Sequence, residues 1–373
     1  MSAAIVGYAS SVAVVVSGLQ AVGASPRQVG SGLVALGVVM AVASVALSLP
    51  GRVPVAVVWS TPGLALLATS GPLDGGFRVA VAGFALCGLL VAVTGLLPPL
   101  SRLLGRLPPA LTSAVLAGVL LPFCLAPAQA VPELPLRAGV VVLVWLAAVR
   151  LRPGLAAPAA LLAVVAVVLV DGSLDLPSLP LPRVVLVTPS FTLAAVTQVA
   201  LPVYLVTMAG QNLVGLAVLQ ANGFTPSVRR LLVGTGLASA VGAPLASPTV
   251  NLAAITGALT AGPAAHPQPA RRWVAAVAGA ATYLVLALVA PLTTALVTQT
   301  DPRLVRTAAG LALLGSFAGA AATALREEAT RLPAAVTLLV AASGATAGGL
   351  GSAPLGLAAG LALLAVLRVR REA

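Results

Sequence analysis

Long apolar runs dominate the chain and constrain its fold more than any other feature. Stretches of about 20 residues without charge alternate with short segments rich in Arg, Pro or acidic residues, and about 20 apolar residues let an α-helix cross a bilayer. Hydrophobic residues make up 60% of the 373 positions and charged residues only 8%, too few for the surface of a soluble domain. The sequence therefore predicts an all-α integral membrane protein.

The runs predict about fourteen membrane-spanning segments in two sets of seven, joined by a polar, proline-rich stretch at 171–190. The first run has no cleavage site, so we expect a retained span and not a signal peptide. The predicted spans are 4–24, 28–50, 53–69, 76–97, 109–126, 135–150, 154–170, 200–222, 228–243, 245–260, 272–291, 304–325, 332–349 and 353–368.

The basic residues predict an orientation. With the N-terminus in the cytoplasm, most Arg fall in inside loops, and each outside Arg except Arg27 shares its loop with an acid. This pattern favours both termini in the cytoplasm of a bacterial inner membrane. The net charge of +12 forms no basic stripe with interleaved aromatics, which argues against nucleic acid. Cys87 and Cys124 lie in separate apolar runs, so we expect buried thiols and neither a disulfide nor a metal pair.

An internal repeat indicates the architecture. The sequence LQAVGASP at 19–26 returns as LQANGFTP at 219–226, an offset of 200 residues. Because seven spans separate the copies, they lie on opposite sides of the membrane, as in the inverted repeats of secondary transporters.

The third span of each half is short and interrupted by Pro and Gly, which weaken a helix. Seven steps lead from Pro54 to Thr61 and from Pro244 to Asn251, which suggests a loose second echo of the repeat in which the two prolines correspond. We expect each segment to enter extended and to become helical halfway, so that two helix N-termini meet and attract an anion. The alternative is a pair of merely kinked helices.

The eighth span carries amides at its centre, Gln211 and Asn212, which are costly in hydrocarbon and are expected to face a cavity or another helix. Helical spacing places Tyr204, Met208 and Gln211 on one face. An interhelical hydrogen bond by Gln211 and ordinary packing of the tyrosines remain alternatives. In the first half the 200-residue offset places Ser11 opposite Gln211, with Tyr8 three residues before Ser11.

The predicted spans contain no Asp or Glu, and the single His266 falls in a loop, so no proton carrier is visible. The sequence has no zinc motif, phosphate-binding loop, catalytic triad or dinucleotide fingerprint. We therefore expect neither an enzyme nor an ATP-driven pump, and no cofactor or metal.

Several segments resemble the benzoate:proton symporter family of bacterial inner membranes. They are LVTMAGQN at 205–212, GLAVL at 215–219, NLAAIT at 251–256 and ARRW at 270–273, with WSTPGLALL at 59–67 in the first half. This resemblance implies the fold of nucleobase, sulfate and bicarbonate transporters, in which a core domain moves against a gate domain. It leaves a homodimer open. The implied boundaries are 1–107 and 190–300 for the core and 108–189 and 301–373 for the gate.

The resemblance implies import of benzoate or a related aromatic carboxylate by proton symport and alternating access. Where uracil:proton relatives carry two Glu, this chain has Gln211 and Val250, which fits an anionic substrate and leaves proton coupling open. The alternatives are a permease or channel for another anion, such as sulfate, or for a nucleobase. The expected substrate-binding residues are Tyr8, Ser11, Trp59, Thr61, Gly63, Tyr204, Gln211, Asn212, Thr249 and Asn251.

Overall fold

The computed structural model describes residues 2–172, 182–347 and 350–372, so residues 173–181 of the predicted connection lie outside the described ranges. Most described residues are helical, and within them eight helices are long and apolar enough to cross a membrane. The expected all-α membrane protein is confirmed at this level, and the count of fourteen spans stays a prediction. The eight are Ala4–Ala21, Pro26–Gly51, Phe77–Leu96, Pro109–Glu133, Pro153–Val170, Ala195–Ala221, Pro269–Leu288 and Pro302–Ala324.

The first half contains, in chain order, α1 (Ser2–Ala21), α2 (Pro26–Ser48), β1 (Val57–Trp59), α3 (Thr61–Ser70), α4 (Phe77–Leu96), α5 (Pro98–Gly105), α6 (Pro109–Glu133), α7 (Pro135–Leu151) and α8 (Ala156–Val170). Two elements differ from the expectation. The short helix α5 occupies a predicted loop, and α6 continues past its predicted end at 126 although it contains Pro127 and Pro132.

The second half contains α9 (Leu201–Thr207), α10 (Leu213–Ala221), α11 (Val228–Gly242), β2 (Val250–Leu252), α12 (Ile255–Ala261), α13 (Trp273–Leu288), α14 (Ala290–Gln299), α15 (Pro302–Ala324), α16 (Glu328–Ala342) and α17 (Ser352–Glu372). Two π-helical turns, Ala195–Ala200 and Met208–Asn212, flank α9 and join it to α10. The predicted span at 272–291 is instead two helices, because Pro291 follows the break at Val289 and α14 then continues to Gln299.

Helices pack mainly within two groups. In one group α4 packs against α11, α2 against α13, and α1 against α3, whereas in the other α6 packs against α15 and α16. Glycines allow the closest approaches. A Cβ on Gly88 of α4 would lie 2.6 Å from the carbonyl oxygen of Gly236 on α11, so only glycine fits this crossing.

The internal repeat forms the same backbone structure twice. Gly23 and Gly223 both adopt positive φ, +92° and +83°, which glycine tolerates. The amide of Ala24 donates to the carbonyl of Leu19, and 200 residues later Phe224 donates to Leu219, both at 3.0 Å. Each copy therefore ends one helix with the same glycine-dependent turn.

Both interrupted segments are extended before they become helical, as predicted. β1 and β2 pair antiparallel, with Val58 opposite Asn251. Each strand is tied to the preceding helix by a buried serine: Val57 donates to Ser44 Oγ and Val250 to Ser239 Oγ, both at 2.9 Å. α3 and α12 then begin just beyond the paired strands.

The predicted pairing of Pro54 with Pro244 is wrong. Pro244 lies in the 3₁₀ turn that ends α11, and this turn is followed by the left-handed residue Ala246. In the first half the same turn contains Pro50 and precedes Arg52, which is also left-handed. Pro54 therefore corresponds to Pro248, four residues later, because proline occurs both in the turn and in the extended segment.

Candidate functional site

The start of α3 is held by a hydroxyl network. Ser60 Oγ caps the helix by accepting from the amide of Gly63 at 3.2 Å, and it also hydrogen-bonds Thr207 Oγ1 at 2.5 Å. A Cβ on Gly63 would lie 2.8 Å from Ser60 Oγ, so glycine is needed for this cap. Thr61, the first residue of α3, is partly exposed, and Pro62 has no amide hydrogen.

The two central amides reach the segment before α12. Asn212 Oδ1 accepts from the amide of Leu252 at 3.0 Å, and Gln211 Oε1 accepts from Ala254 at 3.4 Å. Both amides belong to the π-helical turn Met208–Asn212, and such turns are frequent at functional sites. The alternative of a hydrogen bond from Gln211 to a neighbouring element is thus observed, and it occupies only the carbonyl end of the side chain.

Asn251 lies between the half-helices and is fully buried. Its Nδ2 donates to the carbonyl of Leu252 at 2.8 Å, and its Oδ1 has no partner, the one such buried side-chain atom found among the described residues. A buried acceptor without a donor is costly, so a water or ligand donor is expected there. Thr249, also buried, hydrogen-bonds the sulfur of Cys87 through its hydroxyl.

Aromatic side chains gather beside β1. Tyr8 and Trp59 meet edge to face at 5.5 Å between ring centroids, and Trp59 lies 6.4 Å from Tyr283. Trp59 Nε1 donates to Ser11 Oγ at 3.1 Å, and the Tyr8 hydroxyl donates to Thr293 at 3.2 Å. Sequence reasoning missed Tyr283, although the chain has only three tyrosines and this one lies within a predicted span.

Tyr204 does not join this cluster. Its hydroxyl hydrogen-bonds Thr94 of α4 at 2.6 Å, and the side chain is buried. Gln211 instead accepts from the segment before α12. Tyr204 and Gln211 were expected to share one helix face, but they hydrogen-bond to different elements. The π-helical turn between them changes the spacing from that of an α-helix.

Carboxylates are remote from these residues. The described acids lie in loops or at helix ends, and no group of three or more His, Cys, Asp or Glu among the described residues could hold a metal. Charge at the site is therefore set by helix ends and neutral side chains, an environment that accepts an anion without repulsion.

A cavity of about 730 Å³ lies further along α1 and α3, where they face α6, α14 and α15. None of the ten predicted substrate-binding residues lines it. Ser17 lies six residues beyond Ser11, and Thr69 lies eight beyond Thr61, so the cavity reaches the same two helices about two turns away. Its polar lining consists of Ser17, Gln20, Thr69, Gln129, Thr298, Thr300 and Arg306.

Comparison with known proteins identifies the family. Residues 1–366 match the family described as benzoate membrane transport protein. The chain belongs to the benzoate membrane transport family. Within it, the chain is 36% identical to the inner membrane protein YdcO of Escherichia coli over 326 residues, covering 87% of this chain and 83% of that protein. It is 29% identical to the benzoate membrane transport protein of Acinetobacter baylyi over 331 residues, with coverage of 87% and 83%.

Solved structures show which fold this family member adopts. The transmembrane domain of a cyanobacterial bicarbonate transporter aligns with a TM-score of 0.56 at 17% identity, covering 95% of this chain and 97% of that one. The murine Solute Carrier 26 member A9 anion transporter, inward-facing, aligns at 0.55 and 12% identity, covering 98% and 68%. All four of these proteins are membrane proteins or transporters. None of them is described as an enzyme.

Proposed function

We propose that this chain is a secondary transporter that imports benzoate or a closely related aromatic carboxylate together with protons, by alternating access. The observation that carries the proposal is the pairing of β1 with β2, which brings the start of α3 and the segment that Gln211 holds before α12 beside an aromatic cluster, in surroundings without a carboxylate. An aromatic acid offers a charged end and an apolar ring, which this pairing of surfaces suits.

The carboxylate would bind at the start of α3. Ser60 already satisfies the Gly63 amide, so the donors we assign are the amide and hydroxyl of Thr61, with the Nε2 of Gln211. The carbonyl of Gln211 is engaged by Ala254, and this orients its amino group as a donor. Trp59 and Tyr8, with Tyr283, would flank the ring.

The unpartnered oxygen of Asn251 supports a route for the proton. A carboxylate cannot donate to Asn251 Oδ1, but a protonated carboxyl group can. We therefore propose that the substrate carries its own proton through the closed state, with its hydroxyl donating to Asn251. Thr249 and Asn212 would position this segment and not touch the substrate directly.

Alternating access requires two moving parts. We retain the proposed core domain, 1–107 with 190–300, and the gate domain, 108–189 with 301–373, as fourteen spans in two inverted sets of seven. Both termini would face the cytoplasm. The cavity would then lie between the two domains and open outward, because its lining residues belong to both proposed domains. A homodimer remains compatible with this arrangement.

Uptake of labelled benzoate into proteoliposomes tests the proposal. We expect uptake that an inward proton gradient stimulates and that excess 4-hydroxybenzoate, but neither uracil nor sulfate, blocks. Gln211→Ala and Asn251→Ala should each reduce benzoate affinity about tenfold, about 1.4 kcal/mol. Gln220→Ala, an exposed glutamine on α10, is the matched control. Unchanged affinity in both site variants would exclude this site.

A second candidate is transport of an inorganic anion, which the two structural neighbours favour because one is a bicarbonate transporter and the other an anion transporter. Inhibition by bicarbonate or sulfate without benzoate uptake would support it. Saturable uptake and counterflow would identify a carrier, whereas conductance that rises linearly with the anion would identify a channel.

A further inference from the structure

The cavity between α1, α3, α6, α14 and α15 contains one arginine. Arg306, on the second turn of α15, is exposed into it and is the only charged residue among the described residues that line it. Hydroxyl and amide side chains form the rest of its polar wall, and Leu121, Phe123 and Leu125 of α6 form an apolar side. The cavity thus joins a cation to an apolar surface within a volume typical of small-molecule sites, about 300–1,000 Å³.

The charge of Arg306 is uncompensated among the described residues. The neighbouring acids bind other arginines: Asp301 and Glu133 contact Arg303 at 2.7 and 3.1 Å, and Asp171 contacts Arg137 at 3.2 Å. No ion pair or hydrogen bond of the Arg306 side chain is found in the described ranges. A single positive charge in a partly enclosed cavity concentrates anions from solution.

We propose that Arg306 is a capture site that binds the carboxylate of the substrate before it reaches α3. This inference rests on the proposed function. A guanidinium group can hold a carboxylate through two parallel hydrogen bonds, and Phe123 offers a surface for the ring. Because the cavity touches α1 and α3 about two turns from Ser11 and Thr61, the capture site is separate from the proposed site between the half-helices.

Capture by a charge predicts a specific kinetic effect. Replacing Arg306 with Gln should raise the KM for benzoate about tenfold at low ionic strength, about 1.4 kcal/mol, with little change in kcat. In the unmodified protein the KM should rise with salt, whereas in Arg306→Gln it should be nearly independent of salt. Arg306→Lys should recover part of the affinity, since it restores charge without the two-pronged geometry.

The experiment uses full-length protein in proteoliposomes, with Arg27→Gln as the control. Arg27 is an exposed arginine at the start of α2 that does not line the cavity. A KM unchanged in Arg306→Gln, or an equal shift in Arg27→Gln, would overturn the capture site while benzoate uptake still supports the proposed function. Absence of uptake by the unmodified protein would overturn both. If Arg306→Gln does not fold, Arg306→Met removes the charge in a second way and decides by the same criterion.

Discussion

The two half-helices have the same backbone plan, but different parts of the chain stabilise them. α3 is capped from within its own segment, because Ser60 accepts from the amide of Gly63. α12 has no side-chain cap of its own, and the segment before it is held by Asn212 and Gln211 from the eighth predicted span, which accept from the amides of Leu252 and Ala254. The start of α3 therefore has a cap of its own in addition to its bond to Thr207, whereas the start of α12 relies on the span that carries Gln211.

The C-terminal ends of α3 and α12 also differ in whether the stabilising side chains lie inside the helix or outside it. At the end of α3 the hydroxyls of Thr69 and Ser70 both donate to the carbonyl of Leu66. At the end of α12 the buried guanidinium of Arg272 donates to the carbonyls of Ala261 at 2.8 Å and of His266 at 2.9 Å. A cation at a helix C-terminus also complements the helix dipole.

The largest expected effect follows from this difference. Arg272→Met should lower the free energy of unfolding by about 3 kcal/mol, because it leaves the buried carbonyl of Ala261 and the partly buried carbonyl of His266 without their donor. Thermal unfolding in detergent measures the change. Arg271→Met is the matched control, since Arg271 is exposed and should cost little. Equal melting temperatures for the two variants would show that α12 does not depend on its arginine.

Two variants test how strongly the start of each half-helix depends on the side chain that hydrogen-bonds it. Asn212→Leu leaves the buried amide of Leu252 without an acceptor, so we expect a loss of about 2 kcal/mol. Ser60→Ala removes the cap of α3, and we expect about 1 kcal/mol. Melting temperatures of both variants under identical conditions provide the measurement. A greater loss in Ser60→Ala would reverse the comparison and make α3 the more dependent half-helix.

The features that sequence predicts here are those that local chemistry determines. Apolar runs locate the long helices, and the repeated glycine turn at Gly23 and Gly223 forms as the repeat suggests. Proline and glycine likewise reveal the interrupted segments, although they do not fix the pairing, because Pro244 and Pro248 occupy different backbone environments.

Features that depend on distant contacts were not predictable in this way. The π-helical turn at Met208–Asn212 places two amides against the segment of β2, a contact across about 40 positions that no local pattern encodes. Tyr283 joins the aromatic cluster only because α13 packs beside α1, and Tyr204 leaves it because α4 supplies Thr94. Candidate residues were thus found by type, while their grouping depended on tertiary structure.

The smallest expected effect concerns the starts of α6 and α15, which both have proline in the first turn. α6 follows Pro108 without a side-chain cap, whereas Asp301 caps α15 by accepting from the amide of Arg303. Asp301→Ala should cost about 1 kcal/mol, and Asp301→Asn less, because asparagine can still cap the helix.

The charge of Asp301 adds a pH dependence to this prediction. Hydrogen bonding to the side chain of Arg303 lowers the pKa of the Asp301 carboxyl below its ordinary value. A lowered pKa in the folded state stabilises the protein above the unfolded pKa, about 3.9, and this contribution is lost as pH falls through the folded pKa. The difference in melting temperature between the unmodified protein and Asp301→Asn should therefore be present at neutral pH and vanish under strong acid. A difference that stays constant with pH would mean that the cap, and not the ion pair, accounts for the contrast between α15 and α6.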